Sequence, residues 1–268
     1  MKDNYYSRIL NWVLPIVVVI IILTGDLIEG LFILSAYLVY RFYSERDKFL
    51  SYMGKRKYLN GKLQKAVHYY NKACMTKKAE AKVRVSYAYA LILSGEFQKA
   101  AEALVELQGA ADANTVQMQK AICEAVLIWK EEGNLGKAAT YLGRIDESIR
   151  TSSYYSVMGK MMIESGDMEK ARSFNEEAYR YNAKNADILE NLIRIYCSVE
   201  DYERAMKVAG PLLKKSPSTT DSYYYCAMAN EKCGNLKKAG QLYKKALAYD
   251  ETILSSVRHE DIRKILES

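Results

Sequence analysis

The chain has 268 residues, with 39 Lys or Arg against 32 Asp or Glu for a formal charge of +7, and only three prolines and 14 glycines. So few helix breakers exclude a loop-rich sandwich and point to an all-helical chain. Five cysteines without a C-x-x-C pair give neither a disulfide framework nor a zinc ribbon, and fit a reducing compartment.

In chain order, residues 9–24 (ILNWVLPIVVVIIILT) and 27–43 (LIEGLFILSAYLVYRFY) are apolar runs near the lower length limit for a helix in hydrocarbon. Lys2 and Arg8 precede the first run, Asp26 and Glu29 lie between the two, and Arg41 and Arg46 follow the second. Under the positive-inside rule this order predicts a transmembrane helical hairpin as a membrane anchor over residues 1–45, with both basic flanks on the cytoplasmic side. The expected location is a membrane, the cell membrane, with the rest of the chain facing the cytoplasm. From Arg46 to Arg84 twelve basic residues stand against two acidic ones. That local excess reads as a membrane-surface patch of Arg46, Lys48, Lys55, Arg56 and Lys57, drawn to anionic headgroups, and makes the lipid bilayer an expected partner. Because the charge does not run along the whole chain, no nucleic acid is expected.

The remainder repeats one pattern. GKLQKA begins at Gly61, GEFQKA at Gly95, GNLGKA at Gly133, GDMEKA at Gly166, EDYERA at Glu200 and GNLKKA at Gly234, at intervals of 34, 38, 33, 34 and 34 residues. A turn residue, a polar residue, an apolar one, two mostly polar ones and an alanine open an amphipathic helix each time, and a second helix precedes each turn. Ala66, Ala100, Ala138, Ala171, Ala205 and Ala239, with Gly159 in a preceding helix, are the small residues that let paired helices approach.

Paired helices at this period resemble the tetratricopeptide repeat family, over about residues 47–250. The resemblance implies a right-handed α-solenoid of about six hairpins. Its inter-repeat proline is matched by Pro217, seventeen residues after Glu200. The 38-residue interval predicts a loop over 109–114 and a longer helix from near Thr115. The basic first unit is expected to be frayed or to lie against lipid, and Glu200 to close its turn in a right-handed conformation. The stretch 251–268, with apolar residues at 253, 254, 257, 262, 265 and 266, predicts a C-terminal capping helix from Thr252 that covers the open end of the stack.

No phosphate-binding loop, zinc-protease motif, EF-hand or nucleophile elbow is present, and the only histidines, His68 and His259, stand at opposite ends of the repeat region. Cys226 and Cys233, two helical turns apart, could form a local pair, but mostly buried core thiols are the plainer reading. The expectation is a protein that is not an enzyme, without catalytic residues, metal, cofactor or small-molecule substrate. The resemblance places Tyr89, Glu124, Leu127, Val157, Lys160, Glu190, Asn191, Arg194, Tyr224 and Tyr225 on a concave groove that takes a protein or peptide partner. The family's clamp for a C-terminal carboxylate is absent, since Val85, Tyr89, Cys123, Leu127, Ser156 and Lys160 stand at its positions. The reading is therefore a membrane-anchored adaptor or scaffold. Its alternatives are a structural subunit of a membrane complex held through the hairpin, and a regulator that reads nucleic acid or a small ligand.

Overall fold

The computed structural model describes residues 16–17, 19–21, 23–24, 27–76, 78–107 and 114–267. Helix α1 (Leu27–Ser44) has Glu29 in its first turn and Arg41 in its last. The uncharged stretch between them, residues 30–40, rises roughly 16 Å at about 1.5 Å per residue, against a hydrocarbon core of about 30 Å. No helix among the described residues is long and apolar enough to cross a membrane. The expected transmembrane hairpin is thereby corrected. With it go the membrane location, the cytoplasm-facing orientation, the lipid bilayer as partner, and the alternative of a subunit held through the hairpin. Most of the 9–24 run, the Gly25-Asp26 break and residues 109–113 lie outside the described residues.

Helix α2 (Arg46–Leu59) is a complete helix of 14 residues, which corrects the expected fraying. Its Gly54 lies against Tyr70 of α3 (Leu63–Met75), where a Cβ would come within 2.8 Å of the ring. Close approach of the two helices therefore depends on the missing side chain. Of the basic cluster, Arg46 stacks on Tyr43 at 4.7 Å, Lys48 is 3.9 Å from Glu45, and Lys55 and Arg56 are exposed. Lys55 and Arg56 thus stand on an exposed helix face.

Five more hairpins follow: α4 (Ala81–Leu93) with α5 (Phe97–Val105), α6 (Asn114–Lys130) with α7 (Leu135–Gly143), α8 (Ser152–Glu164) with α9 (Met168–Tyr181), α10 (Ala186–Ser198) with α11 (Tyr202–Lys214), and α12 (Thr220–Lys232) with α13 (Leu236–Ala246). Helix α6, at 17 residues against 13 for α4, α8, α10 and α12, absorbs the long interval as an extra turn. The recurring hexapeptide has a local cause. Its first residue holds positive φ in every copy, and Asn134, Asp167 and Asp201, the next residue in three of them, accept the N–H three positions on as N-caps. Glu200 also takes the left-handed conformation, at φ 59°, which corrects the right-handed turn expected there.

The alanines at 66, 100, 138, 171, 205 and 239 are all buried. The core runs along the stack in two large clusters, one from Leu63 to Met161 and one from Leu189 to Ile262, with Ile163, Ala171 and Ile195 packed between them. Leu254, from beyond the last repeat, belongs to the first, N-terminal cluster.

That placement follows from a second correction. Residues 250–258 do not start a helix; only α14 (His259–Glu267) is helical, and it packs Ile262 on α13. Thr252 Oγ1 accepts the Leu254 N–H at 3.1 Å and Ser255 Oγ accepts the Thr252 N–H at 3.0 Å. Hydroxyls that close backbone donors locally compete with the helical ladder. The Glu251 carboxylate then accepts the His259 N–H at 2.7 Å, where the helix starts, about two turns later than its apolar spacing suggests.

Candidate functional site

The first helices of the repeats turn one face inward, and α2, α4, α8, α10 and α12 together surround a cavity of about 490 Å³. Its wall is built around Lys160 on α8. The Lys160 ammonium lies 3.1 Å from Glu190 Oε1 on α10, with both side chains largely buried. Glu190 also accepts from Thr219 Oγ1 and, at 2.5 Å, from Ser222 Oγ. Burial opposes both charges, but each offsets the other: the lysine is held above its ordinary range, and the glutamate below its own with help from the two hydroxyls.

Two further carboxylates join this wall. Asp221 on α12 is buried; its Oδ2 accepts from Ser256 N at 2.9 Å and Ser256 Oγ at 2.8 Å, while Oδ1 has no partner. Burial raises its pKa, against the pull of Lys160. Asp187 is exposed to the space of the cavity, and the protein that walls this space, with Glu190 nearby, pushes its carboxyl up to about 6.

The cavity is roofed by the chain itself. Residues 248–257 cross the inner face from the sixth repeat to the first. Asp250 N donates to Gly61 O at 2.9 Å, Ile253 N to Leu93 O at 3.0 Å, and Lys62 Nζ to Ala248 O at 2.7 Å. Lys160 Nζ reaches Leu254 O at 3.4 Å, and Tyr225 Oη shares a hydrogen bond with Ser256 Oγ at 3.0 Å. Leu254 and Val257 are the buried side chains of this strap, and Ile253 packs on the N-terminal core.

Of the ten groove positions expected from the sequence, Tyr89, Val157, Lys160, Glu190 and Asn191 line the cavity. Tyr224 and Tyr225 line a more open recess beside Ser256 and Val257. Asn191 is wholly buried and ties repeats together, its Nδ2 donating to Ser156 O at 2.8 Å. Gly159 makes room for it, since a Cβ there would meet both Asn175 and Asn191. Glu124, Leu127 and Arg194 line neither space: Glu124 accepts from Tyr141 Oη in its own hairpin, Leu127 packs on the core, and Arg194 pairs with Glu164 at 2.8 Å. Sequence reasoning passed over Asp187 and Asp221. Each stands four residues before an assigned groove position, Asn191 and Tyr225, and so on the same helix face.

No protein-family model matches the chain. A crystal structure of a tetratricopeptide repeat protein from Parabacteroides merdae superposes with a TM-score of 0.53, covering 98% of each chain at 17% identity. The fold is that of the tetratricopeptide repeats. PilW, a widely conserved type IV pilus biogenesis factor, is similar over 83% of this chain and 99% of its own, with a TM-score of 0.50 and 10% identity. A TPR repeat-containing protein of Methanocaldococcus jannaschii is 26% identical over 159 residues, 59% of this chain, which spans about a quarter (27%) of that protein's length.

No group of three or more His, Cys, Asp or Glu among the described residues is arranged to hold a metal. The five thiols are unpaired, Cys226 and Cys233 included, and burial pushes Cys74 up to about 11 and Cys197 and Cys226 up to about 12. Thiols so held are poor nucleophiles. His259 is engaged by Thr220 at 3.2 Å and lies beside Glu251 at the start of α14.

Proposed function

We propose that the protein is a non-catalytic scaffold whose inner face grips an extended segment of a partner protein. The observation that carries this reading is that the face already holds a non-helical segment, residues 250–257, which makes one turn at 252–255 and is gripped through backbone carbonyls of Gly61 and Leu93 and side chains of Lys160, Asp221 and Tyr225. Backbone hydrogen bonds supply contacts that any extended peptide can reproduce, and the buried side chains select among sequences. Phenol rings such as Tyr89 and Tyr224 add apolar area with a polar tip, as recognition surfaces need.

The test is a selection of extended peptides against the whole chain, followed by amide shift mapping of a bound peptide. Perturbations are expected around Tyr89, Lys160, Tyr224 and Tyr225. Perturbations confined to the outer helices α5, α7, α9, α11 and α13, or to α1, would reject the inner face as the binding surface.

A further inference from the structure

We infer that residues 250–258 are a displaceable internal ligand, so that the intact chain is closed to partners and opens only when this strap leaves. The partner segment it gives way to shares its pattern: two adjacent apolar residues, two hydroxyl residues, then a third apolar one, as in Ile253-Leu254-Ser255-Ser256-Val257. The inference rests on the peptide-binding reading above, and adds to it both the blocking element and the chemistry of the ligand.

The strap is seated as a ligand would be, reaching the core only through the side chains of Leu254 and Val257. It lies between two autonomous helices, α13 and α14, and has no helical ladder of its own. Its tertiary backbone contacts are single hydrogen bonds to repeats one and two, Asp250 N to Gly61 O and Ile253 N to Leu93 O. Its side chains alternate in role. Ile253 rests over Gly95, its Cγ2 3.6 Å from where a Cβ would stand. Leu254 enters the N-terminal core cluster, and Val257 the C-terminal one. Ser256 is exposed to solvent and binds the Asp221 carboxylate through both N and Oγ. These are the contacts of a bound peptide, made in cis.

Tethering decides the consequence. A segment joined to its site by a short linker acts at an effective concentration in the millimolar range, so a free peptide with equal contacts competes poorly. Apparent affinity of the chain is then reduced by the fraction of molecules in which the strap has left. Anything that weakens the strap without touching the wall raises partner affinity. Position 256 is the most sensitive, because a negative charge there would face Asp221 at hydrogen-bond distance, and Glu190 behind it.

The experiment uses the full chain, its Ser256→Glu and Leu254→Asp variants, and a fluorescein-labelled synthetic peptide of residues 249–258. Both substitutions lie on the strap and leave the wall intact. Amide exchange at Asp250 and Ile253 reports whether the strap is seated, and circular dichroism whether the repeats stay folded. The expected result is fast exchange at both amides with unchanged helicity, and peptide binding at least about ten-fold tighter than for the unsubstituted chain. Equal peptide affinity in all three proteins would overturn the closed state while leaving the inner face as a peptide site. No binding by any of them would overturn both readings. Retained protection of Ile253 in both variants would show that the segment is not separable. Variants that dimerise and exclude the peptide would make a second copy of this chain the occupant, and would also overturn the inference.

Discussion

Asp187 and Glu190, three positions apart on α10, face one cavity and are shifted in opposite directions. Desolvation by the protein that walls the cavity, then Glu190, raises the exposed Asp187 from 3.8 to about 6. Between those values the folded chain holds a proton that the unfolded chain has released, so stability falls as pH rises through this window. Asp187→Asn removes the effect. Its melting temperature is expected to exceed that of the unsubstituted protein at about pH 8 and to match it at about pH 4; a gain of equal size at both would assign the effect to packing. Glu190 behaves oppositely. Burial raises its pKa, but Lys160, Ser222 and Thr219 lower it further, to below 4.5, so its contribution is present above about that pH and is lost as pH falls. Lys160→Met strands the buried carboxylate and is expected to cost on the order of 3 kcal/mol at neutral pH. Urea unfolding should show the loss shrinking in acid as Glu190 takes up a proton, and a loss independent of pH would mean that the pair carries no charge coupling.

At the scale of elements, the hairpins were legible because their signal is local and repeated. The turn residue at positive φ and the buried alanine five positions later recur in each copy, and the Asn or Asp cap between them in three, each with its own steric or hydrogen-bonding cause. Glu200 tests that logic. It holds φ 59° without being glycine, so Glu200→Gly is expected to raise stability by about 0.5–1 kcal/mol, with Glu200→Ala unchanged because alanine meets the same strain. Equal gains from both in chemical denaturation would point to the lost charge. The two elements misread from sequence, the anchor and the tail, failed for one physical reason: apolar composition does not say what covers it. In α1 the flanking Glu29 and Arg41 leave too short an apolar length for a bilayer. In the tail, apolar residues at 253, 254 and 257 suit a helix as well as a non-helical strap. The choice is made by carbonyls of Leu93 and Gly61, more than 150 residues away in the chain, which no local periodicity can register. Helical register brings Tyr89, Val157, Lys160, Glu190 and Asn191 to the cavity but not Glu124, Leu127 or Arg194, and the pairing of Lys160 with Glu190 depends on how the repeats stack.

For the whole molecule, the strap turns a linear stack into a closed one. In an open solenoid each repeat touches only its neighbours, and damage to the first hairpin stays there. Here the turn of the first repeat is packed against the end of the last: a Cβ on Gly61 would overlap the Tyr249 ring and lie 2.5 Å from Ser218 O, and Tyr249 itself stacks on Tyr223 with ring centroids 5.1 Å apart. Gly234 supplies the control, because it too has positive φ, at 82°, but a Cβ there meets nothing within 4 Å. Gly234→Ala is expected to cost about 1 kcal/mol, the backbone strain alone. Gly61→Ala should cost about 1–3 kcal/mol more, the usual range for overpacking a tight contact. The location of the loss is the sharper measurement. Amide exchange in Gly61→Ala should quicken in α3 and, at the far end of the sequence, at Asp250, Ile253 and the last turn of α13, with α6 to α9 in the middle little changed. Quickening confined to the first hairpin would mean that the two ends fold independently and that the closure adds nothing to the stability of either.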